Sequence, residues 1–165
     1  GMLSGALDES MEVQPDNPYG IAKDTLRKKL EDLKLTVPFN LTWARLFYIH
    51  GDGQRGSSLL SQLKQSVERG DSVFNMSGGE QLRDYLPVDQ VAKYLVSLAI
   101  AGEDFGVINV CSGEPVSIRE LVEEWILVNE WSISPNYGYY PYSEYEPHQF
   151  WGSKEKLESL LGSLR

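Results

Sequence analysis

Apolar side chains recur along the early chain at helical spacing. If successive residues turn by about 100°, Tyr19, Leu26, Leu30 and Leu33 fall within roughly 40° of one line. Asp24, Lys28, Glu31 and Asp32 take the opposite side. Asn17 followed by Pro18 offers a cap and a first-turn proline, which predicts a helix from there to about Leu35. The next run, LTWARLFYIHG, is apolar on both alternating faces, the pattern of a strand covered on both sides in a parallel sheet. SSLLSQLKQSVERG returns to helical spacing and stops at Gly70, while SVFNM and LRDYLPV read as extended pieces around the turn GGEQ. A further helix starts at Asp89, GVINVCSG is a second apolar strand, and Ser117 with Glu120 has capping-box spacing ahead of another helical stripe. Residues 1 to 16 are polar and turn-rich, and a tail dense in Tyr, Pro and Gly closes in a short helix after Ser153.

Strands that alternate with helices imply α/β architecture with right-handed crossovers. No repeat or linker divides the chain, so residues 1–165 read as one domain, and 41% hydrophobic content is enough to bury a core. The formal net charge of -9 is spread rather than blocked, which argues against nucleic acid and anionic membrane surfaces. No apolar run approaches the roughly 20 residues of a membrane span. Cys111 is the only cysteine and stands with two histidines, His50 and His148, so neither an internal disulfide nor a zinc site is expected. The expectation is a soluble cytoplasmic protein.

Two stretches carry candidate chemistry. In DNPYGIAKD, Tyr19 and Lys23 lie one helical turn apart on the apolar stripe. Such a spacing is a common accident in a chain with nine tyrosines. Lys23 either ends the stripe and snorkels to water beside a packed tyrosine, or supplies an ammonium that favours the phenolate and readies Tyr19 for proton transfer. GDGQRG, residues 51–56, matches the dinucleotide fingerprint letter for letter, with Asp71 about twenty residues on. A true fingerprint places its acid at the far end of the following strand, whereas Asp71 precedes SVFNM. A glycine-rich turn between strand and helix is therefore the preferred reading, with a nucleotide site as the rival.

Taken in order, NPYGIAKDTL, WARLFYIHGDGQR, GGEQLRDYLPVDQVAKYL and GVINVCSGEPVSIRELVEEW resemble the latter half of the extended short-chain dehydrogenase/reductase family, the NAD-dependent epimerase/dehydratases of nucleotide sugars. The resemblance covers roughly residues 8–128 and implies the C-terminal part of a Rossmann-like doubly wound parallel sheet with a small substrate-binding region. It implies Tyr19 as the catalytic acid/base, with Lys23 easing its ionisation and hydrogen-bonding the nicotinamide ribose of NAD or NADP. It places Phe47 near the nicotinamide, Tyr48 against the sugar in place of the family's usual asparagine, and Arg83 on the diphosphate of a nucleotide sugar. Arg83 could instead form a surface pair with Asp84. His50 stands where the family often has tyrosine, and YEPHQFWGSKEKL replaces its usual arginine-aspartate pattern. The glycine-rich phosphate turn, the ribose acid and the strand bearing the catalytic Ser or Thr have no counterpart, since Ser4 and Ser10 are not credible substitutes. The implied protein is the substrate-side portion of an epimerase, dehydratase or reductase, inactive alone. Its alternative is an interaction module covered by another copy or by a separate cofactor-binding chain.

Overall fold

The computed structural model describes residues 3–54, 56–142 and 147–163. Its elements in chain order are β1 (Gly5–Leu7), α1 (Pro18–Lys34), β2 (Thr42–Leu46), β3 (Tyr48–His50), α2 (Leu59–Glu68), β4 (Val73–Asn75), β5 (Leu82–Arg83), β6 (Tyr85–Pro87), α3 (Val88–Ala101), β7 (Gly106–Val110), β8 (Val116–Ser117), α4 (Ile118–Val128), β9 (Ser134–Asn136), β10 (Phe150–Gly152) and α5 (Glu155–Ser163). β1 pairs with β10, β2 with β7, β3 with β6 and β4 with β9, all in parallel, and β5 pairs with β8 in antiparallel. This is the α/β architecture that the alternation of strands and helices implies. No helix among the described residues is long and apolar enough to cross a membrane.

Local chemistry sets the helix starts. The Asn17 side chain accepts from the Gly20 amide at 2.8 Å, as the Asn-Pro pair predicts for α1. At α4 the Ser117 hydroxyl accepts from the Glu120 amide at 3.1 Å, and the Glu120 carboxylate accepts from the Ser117 amide at 3.1 Å. The Ser117 hydroxyl, which also donates to the Glu120 carboxylate at 2.8 Å, and the Ser117 amide hold that carboxyl below the usual range.

Two apolar cores follow from these elements. In one, Leu60 and Leu63 of α2 meet Phe74 and Met76 around β4 and Leu121, Val122 and Trp125 of α4. In the other, Val91 and Leu98 of α3 and Leu157 of α5 close over Ile108 and Val110 of β7, with Ala44 of β2 alongside.

Three expectations need correction. LTWARLFYIHG is two short strands rather than one, and every residue of β2 and β3 is half-buried or exposed. Among the described residues β2 ladders only with β7, so its other edge is left unpaired. The apolar stripe of α1 is also not buried: the helix has no buried residue, Leu30 is half-buried, and Tyr19, Leu26 and Leu33 are exposed. The half-buried face lies to one side of the stripe and carries Asp24, Arg27 and Glu31, joined by ion pairs of 2.7 and 2.6 Å. Among the described residues, neither apolar core includes a residue of α1. Finally, the turn-rich first residues and the tail contain β1 and β10, which find each other across the chain.

Candidate functional site

Extended backbone brings the central residues together. β3 and β6 run side by side with Tyr48 opposite Tyr85, whose rings stack at a centroid distance of 5.0 Å. The Tyr48 amide donates to the Asp84 carbonyl at 3.1 Å. β10 then lays Phe150 against both Tyr48, at 5.9 Å, and Phe47, at 6.4 Å. Among the described residues, no hydrogen bond engages the Tyr48 phenol.

Tyr48 stands between two cavities of about 330 Å³ each. The first is walled mostly by carbon, with Leu7, Met11, Leu46, Phe47 and Phe150 beside Tyr48. Its polar groups are largely committed. Asn109 donates its amide to Glu9 and its side-chain nitrogen to the Leu7 carbonyl, each at 2.9 Å. Arg45 also lines it, and burial pushes that guanidinium's pKa down from its ordinary value. The second cavity is mixed, with Arg83, Gln62, Asn75, Phe74 and Tyr140 around Tyr48.

Arg83 is 2% exposed, and Phe150 lies over its guanidinium at 4.8 Å. One guanidinium nitrogen donates to the carbonyls of Leu82 at 2.9 Å and His148 at 3.2 Å. The surface pair with Asp84 is not formed, because Asp84 is fully buried and its carboxylate accepts from three backbone amides. A buried guanidinium that still borders a cavity is a preorganised fork for an anion such as a phosphate.

Tyr19 and Lys23 are placed differently. Tyr19 is 73% exposed, and the Lys23 ammonium lies 5.6 Å from the centre of its ring. Neither lines the two cavities, so this chain brings together Phe47, Tyr48 and Arg83 but not the tyrosine and lysine. The Ser4 hydroxyl donates to the Gln149 carbonyl at 3.0 Å, and Ser10 to Asp8.

His50 packs on Trp125 at 5.5 Å, and burial holds its pKa below the ordinary 6.5. The glycine-rich turn leads from β3 into α2, whose cap is Ser58, and Arg55 within it lies outside the described residues. Asp52 of that turn pairs with Lys64, and Asp71 pairs with Arg69 ahead of β4. In the tail, Tyr145 and Glu146 also lie outside the described residues.

Sequence reasoning missed Phe150, Tyr140 and the role of Asp84. The one available signal was a charged pair, Arg83-Asp84, inside an otherwise apolar extended run.

Comparison with known proteins fits this geometry. The chain is 33% identical over 155 residues to the dTDP-6-deoxy-L-talose 4-dehydrogenase (NAD(+)) of Aggregatibacter actinomycetemcomitans, covering 93% of this chain and 57% of that one. It is 30% identical over 122 residues to the GDP-6-deoxy-D-mannose reductase of Pseudomonas aeruginosa, covering 71% of this chain and 40% of that one. A solved UDP-N-acetylglucosamine 4-epimerase from Methanobrevibacter ruminantium M1, in complex with UDP-N-acetylmuramic acid, superposes with a TM-score of 0.82 at 25% identity, over 92% of this chain and 49% of that one. The chain thus spans about half the length of these relatives and carries the Rossmann-like fold of that part. The model of the NAD dependent epimerase/dehydratase family matches residues 4–111, and to that family the chain belongs.

Proposed function

We propose that this chain is the substrate-side portion of an NAD(P)-dependent nucleotide-sugar epimerase, dehydratase or reductase. The observation that carries the reading is Arg83, a guanidinium 2% exposed that lines one cavity and is joined through Tyr48 to a second, carbon-walled one. Arg83 binds the diphosphate, Tyr48 meets the sugar, and Phe47 faces the nicotinamide ring. The names of the relatives, which specify dTDP-, GDP- and UDP-linked sugars, support that substrate class.

NAD or NADP, when bound, exchanges hydride with a sugar carbon. The carbon-walled cavity fits the flat ring of that group. Tyr19 holds or releases the proton at the sugar hydroxyl, and Lys23 hydrogen-bonds the ribose. A proton donor must come within hydrogen-bond reach of its target, and Tyr19 stands exposed outside both cavities. The chain alone is therefore inactive. Incubation with NAD(H) or NADP(H) and dTDP-, GDP- and UDP-sugars is expected to give no turnover and no micromolar cofactor binding. Either one would overturn the inactivity.

A second reading is a non-catalytic interaction module, favoured by one observation: Tyr19, Leu26 and Leu33 leave an exposed apolar face on α1. Another copy of the chain, or a separate cofactor-binding chain, covers that face. Light scattering is expected to return an oligomer for the chain alone or on mixing with such a partner, and a monomer in both settings would count against it. A lone buried cysteine suits a reducing compartment such as the cytoplasm.

A further inference from the structure

Asp84 is 0% exposed, and its carboxylate gathers three segments that are distant in the chain. One oxygen accepts from the Ser112 amide at 2.7 Å. The other accepts from the Gly113 amide at 3.0 Å and the Gly152 amide at 3.2 Å. The carboxylate oxygens accept, and all three converging N–H groups donate to them. The third of these bonds ties β10 to the β5–β6 segment, and β10 begins with the ring that covers Arg83. Just upstream, the His148 carbonyl accepts from both the Arg83 guanidinium and the Leu82 amide.

Gly152 makes this approach possible. A Cβ there would sit 2.5 Å from the Cys111 sulfur and 2.8 Å from the Phe47 ring, so any larger residue would push β10 away from Asp84. The same small residue therefore touches the Phe47 wall of one cavity and the anchor of the other.

We propose that Asp84 is a positioning residue. Closed on the amides of Ser112, Gly113 and Gly152, it holds residues 148–152 against β5, so that the His148 carbonyl and the Phe150 ring fix the Arg83 guanidinium at its cavity. This rests on the reading of Arg83 as the diphosphate ligand only for its functional consequence. Asp84→Asn keeps the shape but presents an NH2 donor to an N–H donor. Gly152→Ala attacks the same contact from the other side and leaves the carboxylate intact.

Two measurements separate the positioning role from the diphosphate reading. The first is hydrogen exchange at the Arg83 guanidinium, followed by NMR in the folded chain. Both variants are expected to speed it at least tenfold, while Asn129→Ala, which breaks a 2.8 Å side-chain bond to the Trp125 carbonyl at the end of α4, leaves it unchanged. Wild-type exchange in Asp84→Asn and Gly152→Ala overturns the inference, whatever binds. The second is titration with dTDP, GDP and UDP. Wild type is expected to bind at least one, Arg83→Met to lose it, and the two positioning variants to bind it about tenfold more weakly. If no diphosphate binds wild type, or Arg83→Met binds it equally well, the diphosphate reading fails and the exchange result still decides the role of Asp84.

Discussion

The surroundings of Arg83 and of Tyr19 are built to different standards within one chain. Arg83 sits on a strand beside the α2–β4–α4 core, under an aromatic ring, with both neighbouring carbonyls engaged and Asp84 locking three segments together. Tyr19 rides on a helix with no buried residue, whose half-buried positions include Asp24, Arg27, Leu30 and Glu31 and whose Lys34 pairs with Asp104. The side that would recognise phosphate is finished by this chain's own packing. The side that would move a proton has correct local structure and no enclosure. Helices take most of their stability from tertiary burial, so a cap and a stripe can form a helix without defining a site.

The contrast predicts unequal responses to mutation. Trp125 is almost fully buried in the α2–β4–α4 core, and Trp125→Ala is expected to cost about 3–5 kcal/mol in a denaturant melt. A loss under 1 kcal/mol would mean that this core is not the stable part. Next come the two caps. Ser117→Ala is expected to lower global stability by about 1 kcal/mol because α4 is packed. Asn17→Ala should leave the global transition in place and instead speed amide exchange in the first turn of α1. Equal global losses would erase the distinction drawn between the helices.

Acid tests the aromatic cluster. Burial lowers the His50 pKa in the folded chain, so on acidification the unfolded chain takes up the proton first. Its contribution is present above about 6.5, the ordinary histidine value, and is lost as pH falls below it. His50→Phe is expected to flatten stability between pH 7 and pH 5, and an unchanged slope would assign the acid loss elsewhere. The smallest effect belongs to α1: Leu26→Gln should change monomer stability by less than about 0.5 kcal/mol. A larger loss would show that the stripe is covered within the chain after all.

Much of the secondary structure was legible. Asn17-Pro18 and the Ser117/Glu120 box act within one helical turn, and both are present as expected. β1, β9 and β10 were not, because three-residue strands owe their existence to a partner far away, as Gly5 does to Phe150. The burial of α1 was misjudged for a related reason. Periodicity reports that a helix has an apolar face, and says nothing about whether anything lies against it. At the site, the residues Phe47, Tyr48 and Arg83 could be picked from their motifs, whereas Phe150 belongs to no recognisable pattern and matters only because β10 returns beside β5.

The sequence by itself determined the order of helices and strands, their caps, the glycine turn into α2 and the family motifs, since each of these depends on neighbours within a few residues. Tertiary structure alone decided that Arg83 and Asp84 are both buried, one on the His148 carbonyl and the other on three backbone amides, that Gly152 must be small, and that Tyr48 lines two cavities. Those facts arise from contacts between segments up to 145 residues apart, such as Ser4 with Gln149. Local propensity carries no information about which distant backbone amide a buried carboxylate will meet.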